Sequence, residues 1–110
     1  MLNDFVRVAF THEIPPGTGR TVEVDGIRIA VFNVNGAFFA IDNTCPHAGG
    51  PLGEGKLCEA IVECPWHGWK FSVISGERVG NPAIKVPGCE VRIQGDEIQI
   101  AIPPALKEPA

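Results

Sequence analysis

Two short segments of the chain each combine a cysteine with a histidine, and together they could bind a metal. The first contains Cys45 and His47, and the second contains Cys64 and His67. Each segment offers one thiolate and one imidazole on a stretch rich in glycine and proline. Two sulfur and two nitrogen ligands can enclose a metal centre, and this mixture suits zinc or iron in a sulfide-bridged cluster. Only 3 histidines occur in the chain, so the pairing of two of them with cysteines is poorly explained by chance.

Two other interpretations of these residues are open. A Cys2His2 zinc site could serve only to hold the loops in place, although zinc sites usually use Cys-x2-Cys or a helix-borne His pair, which this sequence lacks. Cys64 and His67 could instead form a nucleophile and its base. That interpretation leaves Cys45 and His47 without a role. Glycines beside both segments favour a cluster, because they let backbone N–H groups approach its sulfurs without a Cβ clash.

The remaining residues of these types give weaker signals. Cys58 and Cys89 have no neighbouring histidine and are predicted to be ordinary thiols, and His12 is expected at the surface. Residues 50–57 nearly match a phosphate-binding Gly-x4-Gly-Lys-Ser/Thr loop. Leu57, however, lacks the hydroxyl that would bind Mg²⁺, and no amphipathic helix follows. Nucleotide binding is therefore not predicted.

The whole chain is short, rich in turns and acidic. Its 110 residues allow one compact domain. With 13 glycines and 10 prolines, a small all-β domain is favoured over a helical bundle. The net charge of −4 argues against a nucleic-acid partner. We find neither the ~20 consecutive apolar residues of a membrane-spanning helix nor a signal peptide, so we expect no membrane association and a cytoplasmic location.

Alternating apolar and polar residues predict short antiparallel strands that must position the Cys and His segments. Strong hairpin signals are Asp25-Gly26, Asn35-Gly36 and Gly95-Asp96. The stretch 42–59 is predicted to be irregular apart from a helical turn near 55–60, and long connections of this kind are usually functional. We predict one domain over residues 1–103, a flexible tail over 104–110, and strands at 5–9, 20–24, 27–32, 37–41, 61–64, 69–73, 90–93 and 97–102.

The two Cys and His segments resemble the ligand boxes of Rieske-type [2Fe–2S] proteins. The resemblance covers most of the chain and includes a segment similar to the family's proline loop. It implies an all-β fold of two or three stacked antiparallel sheets, with one [2Fe–2S] cluster at the tip of two hairpin-like loops within about residues 43–83. The matching segments are Cys45-Pro46-His47, Pro51-Leu52, Cys64-Pro65-Trp66-His67-Gly68, Trp69-Lys70-Phe71, Ser75-Gly76 and Gly80-Asn81-Pro82-Ala83.

The resemblance also implies a role for each ligand. The thiolates of Cys45 and Cys64 would bind one iron, and ring nitrogens of His47 and His67 would bind the other, with the histidine edges near the surface. Further residues are expected beside the cluster: Gly49, Gly50, Leu52, Trp66, Gly68, Trp69 and Pro82.

The neighbours of the ligands predict a low reduction potential. High-potential members of the family carry a disulfide between the two loops and donate serine and tyrosine hydroxyls to the cluster region. This chain has Gly49 and Trp66 at the positions of those cysteines, Trp69 at the position of the serine, and no tyrosine. Fewer donors stabilise less negative charge on reduction, so we predict a midpoint near the low end of the Rieske range, about −150 mV.

The function implied by the resemblance is electron transfer without catalysis by the chain itself. The leading hypothesis is a soluble Rieske-type ferredoxin that carries single electrons from a ferredoxin reductase to a terminal oxygenase, such as a ring-hydroxylating dioxygenase, through transient contacts. One alternative is the small subunit of an assimilatory nitrite reductase, which as a permanent subunit should expose a sizeable apolar patch. The other alternative is a zinc-bound structural module.

Overall fold

The computed structural model describes residues 5–47 and 49–107. These residues form two antiparallel sheets, two short 3₁₀ turns at Thr11–Glu13 and Leu52–Glu54, and the helix α1 at Pro104–Lys107. The strands are β1 (Val6–Phe10), β2 (Gly19–Val24), β3 (Ile27–Val34), β4 (Ala37–Asp42), β5 (Lys56–Cys58), β6 (Ile61–Glu63), β7 (Lys70–Ser72), β8 (Glu77–Arg78), β9 (Asn81–Lys85), β10 (Gly88–Gln94) and β11 (Glu97–Ala101).

The larger sheet has six strands in the order β1-β11-β10-β4-β3-β2. Its hairpins form at the predicted turns, since Asp25 and Gly26 both have positive φ (51° and 81°), as do Asn35 and Gly36 (52° and 94°). Two successive residues with positive φ match the twist of an antiparallel hairpin. The outer strands β1 and β2 also contact each other, so the sheet nearly closes into a barrel.

Strand β3 belongs to two hydrophobic cores at once. Ile29 and Val31 pack in the core inside the large sheet, with residues of β11 and β4. Ala30 and Phe32 point to the other face and pack in the core between the two sheets. Successive side chains of a strand alternate between faces, so the continuous apolar run 29–32 is buried on both sides of the strand.

The smaller sheet has five strands in the order β5-β6-β7-β8-β9. The segment with Cys45 and His47 lies between β4 and β5, and the segment with Cys64 and His67 lies between β6 and β7. The all-β prediction is confirmed. The helical turn predicted near 55–60 is wrong, because Lys56–Cys58 pairs with Ile61–Glu63 as an antiparallel hairpin. Glu59 closes that hairpin with a φ of 55°, which ends any helix there. The short strands β8 and β9 also lie where no strand is predicted.

The last described residues form a short helix instead of an irregular tail. Leu106 of α1 packs against the core of the large sheet, while residues 108–110 of the predicted tail lie outside the described residues. The flexibility of this tail stays a prediction. None of the helices in the described part of the chain is long and apolar enough to cross a membrane.

Candidate metal centre

The first loop (residues 45–50) and the second loop (residues 64–69) have the same backbone hydrogen bonds. In the first, the Cys45 N–H donates to the carbonyl of Gly50 (3.0 Å), and the Gly49 N–H donates to the carbonyl of Cys45 (2.7 Å). In the second, the Cys64 N–H donates to the carbonyl of Trp69 (2.7 Å), and the Gly68 N–H donates to that of Cys64 (3.0 Å). The two loops are therefore equivalent turns, each beginning at a cysteine.

Each turn depends on a glycine four residues after its cysteine. Gly49 and Gly68 have φ values of 80° and 79°, in the left-handed region that a residue with a Cβ rarely adopts. This conformation aims the N–H back at the cysteine carbonyl and closes the turn. The sequence spacing of cysteine and glycine is thus the signal for the shared geometry.

The four predicted ligands divide into a buried pair and an exposed pair. Cys45 and Cys64 are each 1% exposed and lie in the core between the sheets. His47 and His67 are exposed, and their ring centroids lie 4.9 Å apart with planes at 74°. The structure therefore brings the two loops together, with sulfur on the inner side and imidazole on the outer side.

Gly50 provides space beside one of the sulfurs. A Cβ at this position would lie 2.7 Å from the Cys64 Sγ and 3.0 Å from Cγ of Trp66. Real Cβ atoms do not approach so closely, so only glycine fits here without displacement of the second loop. The first loop thus lies directly against the cysteine of the second.

A buried asparagine anchors the first loop to the large sheet. The Oδ1 atom of Asn43 accepts hydrogen bonds from the Gly53 N–H (2.7 Å) and from the Thr21 hydroxyl (3.0 Å). The Asn43 carbonyl also accepts from the Leu52 N–H (2.7 Å). These bonds order the stretch after β4, which the sequence predicts to be irregular.

Trp69, the last residue of the second loop, contacts His47 of the first loop. Its ring is parallel to that of His47 (8°), with centroids 4.3 Å apart. The guanidinium carbon of Arg78 lies 3.4 Å from the centroid of the same ring. Arg78 was not predicted from the sequence, because its strand β8 has only two residues and its register opposite Phe71 is set by the fold.

The other residues expected near the cluster have different surroundings. Leu52 is fully buried in the same core as the two cysteines. Trp66 is 57% exposed at the tip of the second loop. Pro82 is exposed in β9, and no hydrogen bond between described residues ties it to either loop.

The two cysteines outside the loops are placed differently from the ligand pair. Cys58 is exposed at the end of β5, and Cys89 is half-buried in β10. Burial, and then the nearby Asp42 carboxylate, raise the pKa of the Cys89 thiol to about 11. Burial also raises the pKa of Asp42 above its usual value, against hydrogen bonds from the Thr44 and Asn43 N–H groups that lower it. Cys89 is therefore a neutral thiol near pH 7.

The family of the chain follows from a comparison with known protein families. The model of the Rieske [2Fe–2S] domain matches residues 4–99. The chain belongs to the Rieske [2Fe–2S] family. Its match includes both loops, and the family's cofactor is a [2Fe–2S] cluster, not the single zinc ion of the structural alternative.

Two relatives of this Rieske domain are named as parts of dioxygenase systems. The biphenyl dioxygenase ferredoxin subunit of Pseudomonas sp. (strain KKS102) is 35% identical over 103 residues, which cover 87% of this chain and 90% of the relative. A chain in the solved complex of reduced oxygenase and oxidized ferredoxin of carbazole 1,9a-dioxygenase is 31% identical, with a TM-score of 0.82. That match covers 91% of this chain and 94% of the other.

A nitrite reductase subunit shares the Rieske fold at lower sequence identity. The putative NADH-dependent nitrite reductase small subunit from Mycobacterium tuberculosis has a TM-score of 0.84 and is 23% identical, covering 93% of this chain and 97% of that one. This likeness concerns the fold alone.

The residues of the two loops fit a [2Fe–2S] cluster. Among the residues that the structure describes, no three Cys, His, Asp or Glu side chains are grouped to hold a single metal ion. A Rieske cluster does not need such a group, because two cysteines serve one iron and two histidines serve the other. The buried pair of thiols, the exposed pair of imidazoles and the space that Gly50 leaves beside Cys64 match this division.

Proposed function

We propose that the chain is a one-electron carrier whose cluster is held by Cys45 and Cys64 on one iron and by His47 and His67 on the other. It takes electrons from a ferredoxin reductase and passes them to a terminal oxygenase of the ring-hydroxylating type. The domain that holds the cluster spans residues 1–103. The observation that carries this proposal is the contact between the exposed rings of His47 and His67, whose centroids lie 4.9 Å apart, on loops whose cysteines are both buried.

The protein residues in this proposal bind and orient, and they expose one side of the centre. Two neutral imidazoles in place of two thiolates leave less negative charge on one iron, which makes reduction easier than in an all-cysteine site. The bound cluster supplies the chemistry, which is the uptake and release of one electron. The exposed rings of His47 and His67 shorten the distance over which an electron passes to a docked protein.

The proposed partners follow from charge and from the relatives. A net charge of −4 favours docking on basic surfaces, and such contacts weaken as salt screens them. A relative is solved in complex with its oxygenase, which supports an oxygenase as the acceptor. We also propose a cytoplasmic location, because cysteines paired with histidines in this way are typical of metal sites in reducing compartments.

The first experiment tests the cofactor and the ligands. The anaerobically purified protein should contain about two iron atoms and two acid-labile sulfides per chain, and its visible absorption should bleach with dithionite. Replacement of Cys45 or Cys64 by Ser should abolish the iron, whereas Cys58→Ser should retain it. Purified protein with zinc and no labile sulfide would contradict the proposal.

A second experiment distinguishes a carrier from a permanent subunit. The isolated protein should elute as a monodisperse species in size-exclusion chromatography and reduce an added ring-hydroxylating oxygenase in stopped-flow mixing. The rate should fall as salt is raised from about 50 to about 500 mM, because this shortens the Debye length roughly threefold. Stable co-elution with a nitrite reductase large subunit, without electron transfer to the oxygenase, would favour the alternative.

A further inference from the structure

A stack of three side chains reaches from the first loop to the small sheet. The His47 ring is parallel to the Trp69 ring at 4.3 Å, and the Arg78 guanidinium carbon lies 3.4 Å from the Trp69 centroid. Two groups this close to one ring centre would collide if they shared a face. His47 and Arg78 therefore cover opposite faces of the indole.

The backbone holds Arg78 in this position from both sides. Arg78 pairs with Phe71 across β8 and β7. The next residue, Val79, donates its N–H to the carbonyl of Lys70 (2.8 Å). Residues two apart along an extended chain point to the same side, so the side chains of Trp69 and Phe71 share one face. Arg78 lies directly opposite Phe71 on the neighbouring strand, and its side chain therefore reaches the Trp69 indole on that face.

We propose that Arg78 and Trp69 are positioning residues of the metal centre: Trp69 fixes the ring plane of His47, and the Arg78 cation, through Trp69, favours the reduced state. This inference rests on the proposed function, in which His47 binds an iron. The guanidinium of Arg78 lies over the Trp69 indole, so it positions His47 through that ring and acts on the centre by its charge across the ring.

Arg78 affects the centre in two ways. A guanidinium over an indole is attracted by the negative face of the ring. This attraction stabilises one orientation of Trp69, and Trp69 in turn restricts rotation of the His47 ring. Reduction adds one negative charge to the centre, and a fixed cation close to it stabilises that charge. The half-buried indole excludes water from the space between the cation and His47, so solvent screens the interaction less than on the open surface.

Three substitutions of Arg78 test this inference by redox titration of the iron-loaded protein. Arg78→Gln and Arg78→Met remove the charge, and Arg78→Lys keeps it. We expect both neutral variants to have a lower midpoint potential than the wild type, with a several-fold smaller equilibrium constant for electron uptake. Arg78→Lys should restore most of the potential. The EPR spectrum of the reduced protein should change in the neutral variants, because the orientation of His47 relaxes.

A matched control is available on the large sheet. Arg92 also places its guanidinium over an aromatic ring, that of Phe5 at 4.3 Å, and it is exposed on a strand, whereas Arg78 is half-buried. Arg92→Gln removes the same charge and the same kind of contact without a connection to either loop. Its midpoint potential and EPR spectrum should equal those of the wild type.

Each remaining outcome overturns the inference. Equal potentials for the neutral Arg78 variants and Arg92→Gln would show that Arg78 contributes only its net charge or nothing. Loss of iron from both neutral variants, with Arg92→Gln intact, would make Arg78 a residue of fold stability. Failure of the proposed function is recognised separately, because then the wild type itself contains no iron and labile sulfide.

Discussion

At the scale of single residues, the type of ligand on each iron controls how easily the centre is reduced. His47 and His67 are exposed and Cys45 and Cys64 are buried; as the proposed ligands, the histidines would bind through uncharged nitrogens and the cysteines as negative thiolates. The same position therefore has a different electrostatic effect depending on whether it carries nitrogen or sulfur. Changes at one residue test this directly.

His67→Cys is expected to lower the midpoint potential toward that of all-cysteine clusters. A thiolate in place of a neutral imidazole adds one negative charge beside the iron that takes up the electron, which disfavours reduction. The measurement is a dye-mediated redox titration of the reconstituted variant. His12→Cys, at an exposed site near the first turn, is the control, and an unchanged midpoint in His67→Cys would contradict the ligand assignment.

Cys89 is expected to react slowly with iodoacetamide until the pH approaches 11. Its pKa is raised to about 11, first by burial and then by the Asp42 carboxylate, and only the thiolate reacts. Because the pKa is raised, the reactive fraction at pH 8 is small and increases with pH, about tenfold per unit. Asp42→Asn removes the repulsion and should increase the rate at pH 9.

Alkylation is best followed by mass spectrometry in a Cys58→Ser background, which removes the exposed competing thiol. An equal rate in Cys58→Ser with and without Asp42→Asn would show that burial alone protects Cys89.

At the scale of elements, two equivalent turns must press against each other for the four side chains to meet. Their contact depends on a glycine that leaves room for sulfur and on a buried asparagine that holds the first turn to β2. Neither residue is a proposed ligand, and both act on the centre through the backbone.

Gly50→Ala is expected to reduce the iron and labile sulfide bound per chain. The new Cβ would lie 2.7 Å from the Cys64 Sγ, so the second loop must shift. Gly88→Ala is the matched control, because its Cβ would meet its nearest atom, the Ala40 carbonyl oxygen, at an ordinary 3.6 Å. Full iron and sulfide content in Gly50→Ala would mean that the two loops can move apart without weakening cluster binding.

Asn43→Ala is expected to lower the free energy of unfolding by about 1–3 kcal/mol, the usual effect of leaving buried partners unsatisfied. The Gly53 N–H and the Thr21 hydroxyl both lose their acceptor. Urea denaturation followed by tryptophan fluorescence measures the effect. Asn81→Ala, at an exposed position of β9, should change stability little, and an equally small effect of Asn43→Ala would refute the anchoring role.

At the scale of the whole molecule, the environment of the centre sets its potential. The chain contains no tyrosine, and Trp69 follows the second ligand box where a hydroxyl would raise the potential. We expect a midpoint of about −150 mV for the wild type, measured by redox titration. A midpoint above zero would show that other groups donate to the cluster region.

Much of the fold could be predicted from the sequence, because its signals are local. The turns Asp25-Gly26 and Asn35-Gly36 require positive φ, and they form as predicted. The short apolar runs of β3 and β4, each bounded by turn residues, likewise need no distant partner to be recognised. The strands β5, β8 and β9 were missed, because none has a run of two or more large apolar or aromatic residues and β9 contains a proline; pairing with their neighbours holds them in the sheet.

For the proposed site, the sequence alone determined which thiols and imidazoles are available as donors and where the glycines of both turns lie, since side-chain chemistry and backbone freedom belong to single residues. Only the tertiary structure decided which groups surround them. The stack of Arg78 on Trp69 and His47 joins residues of three segments. Its geometry arises from strand register and loop packing, which depend on the whole folded chain and leave no local pattern in the sequence.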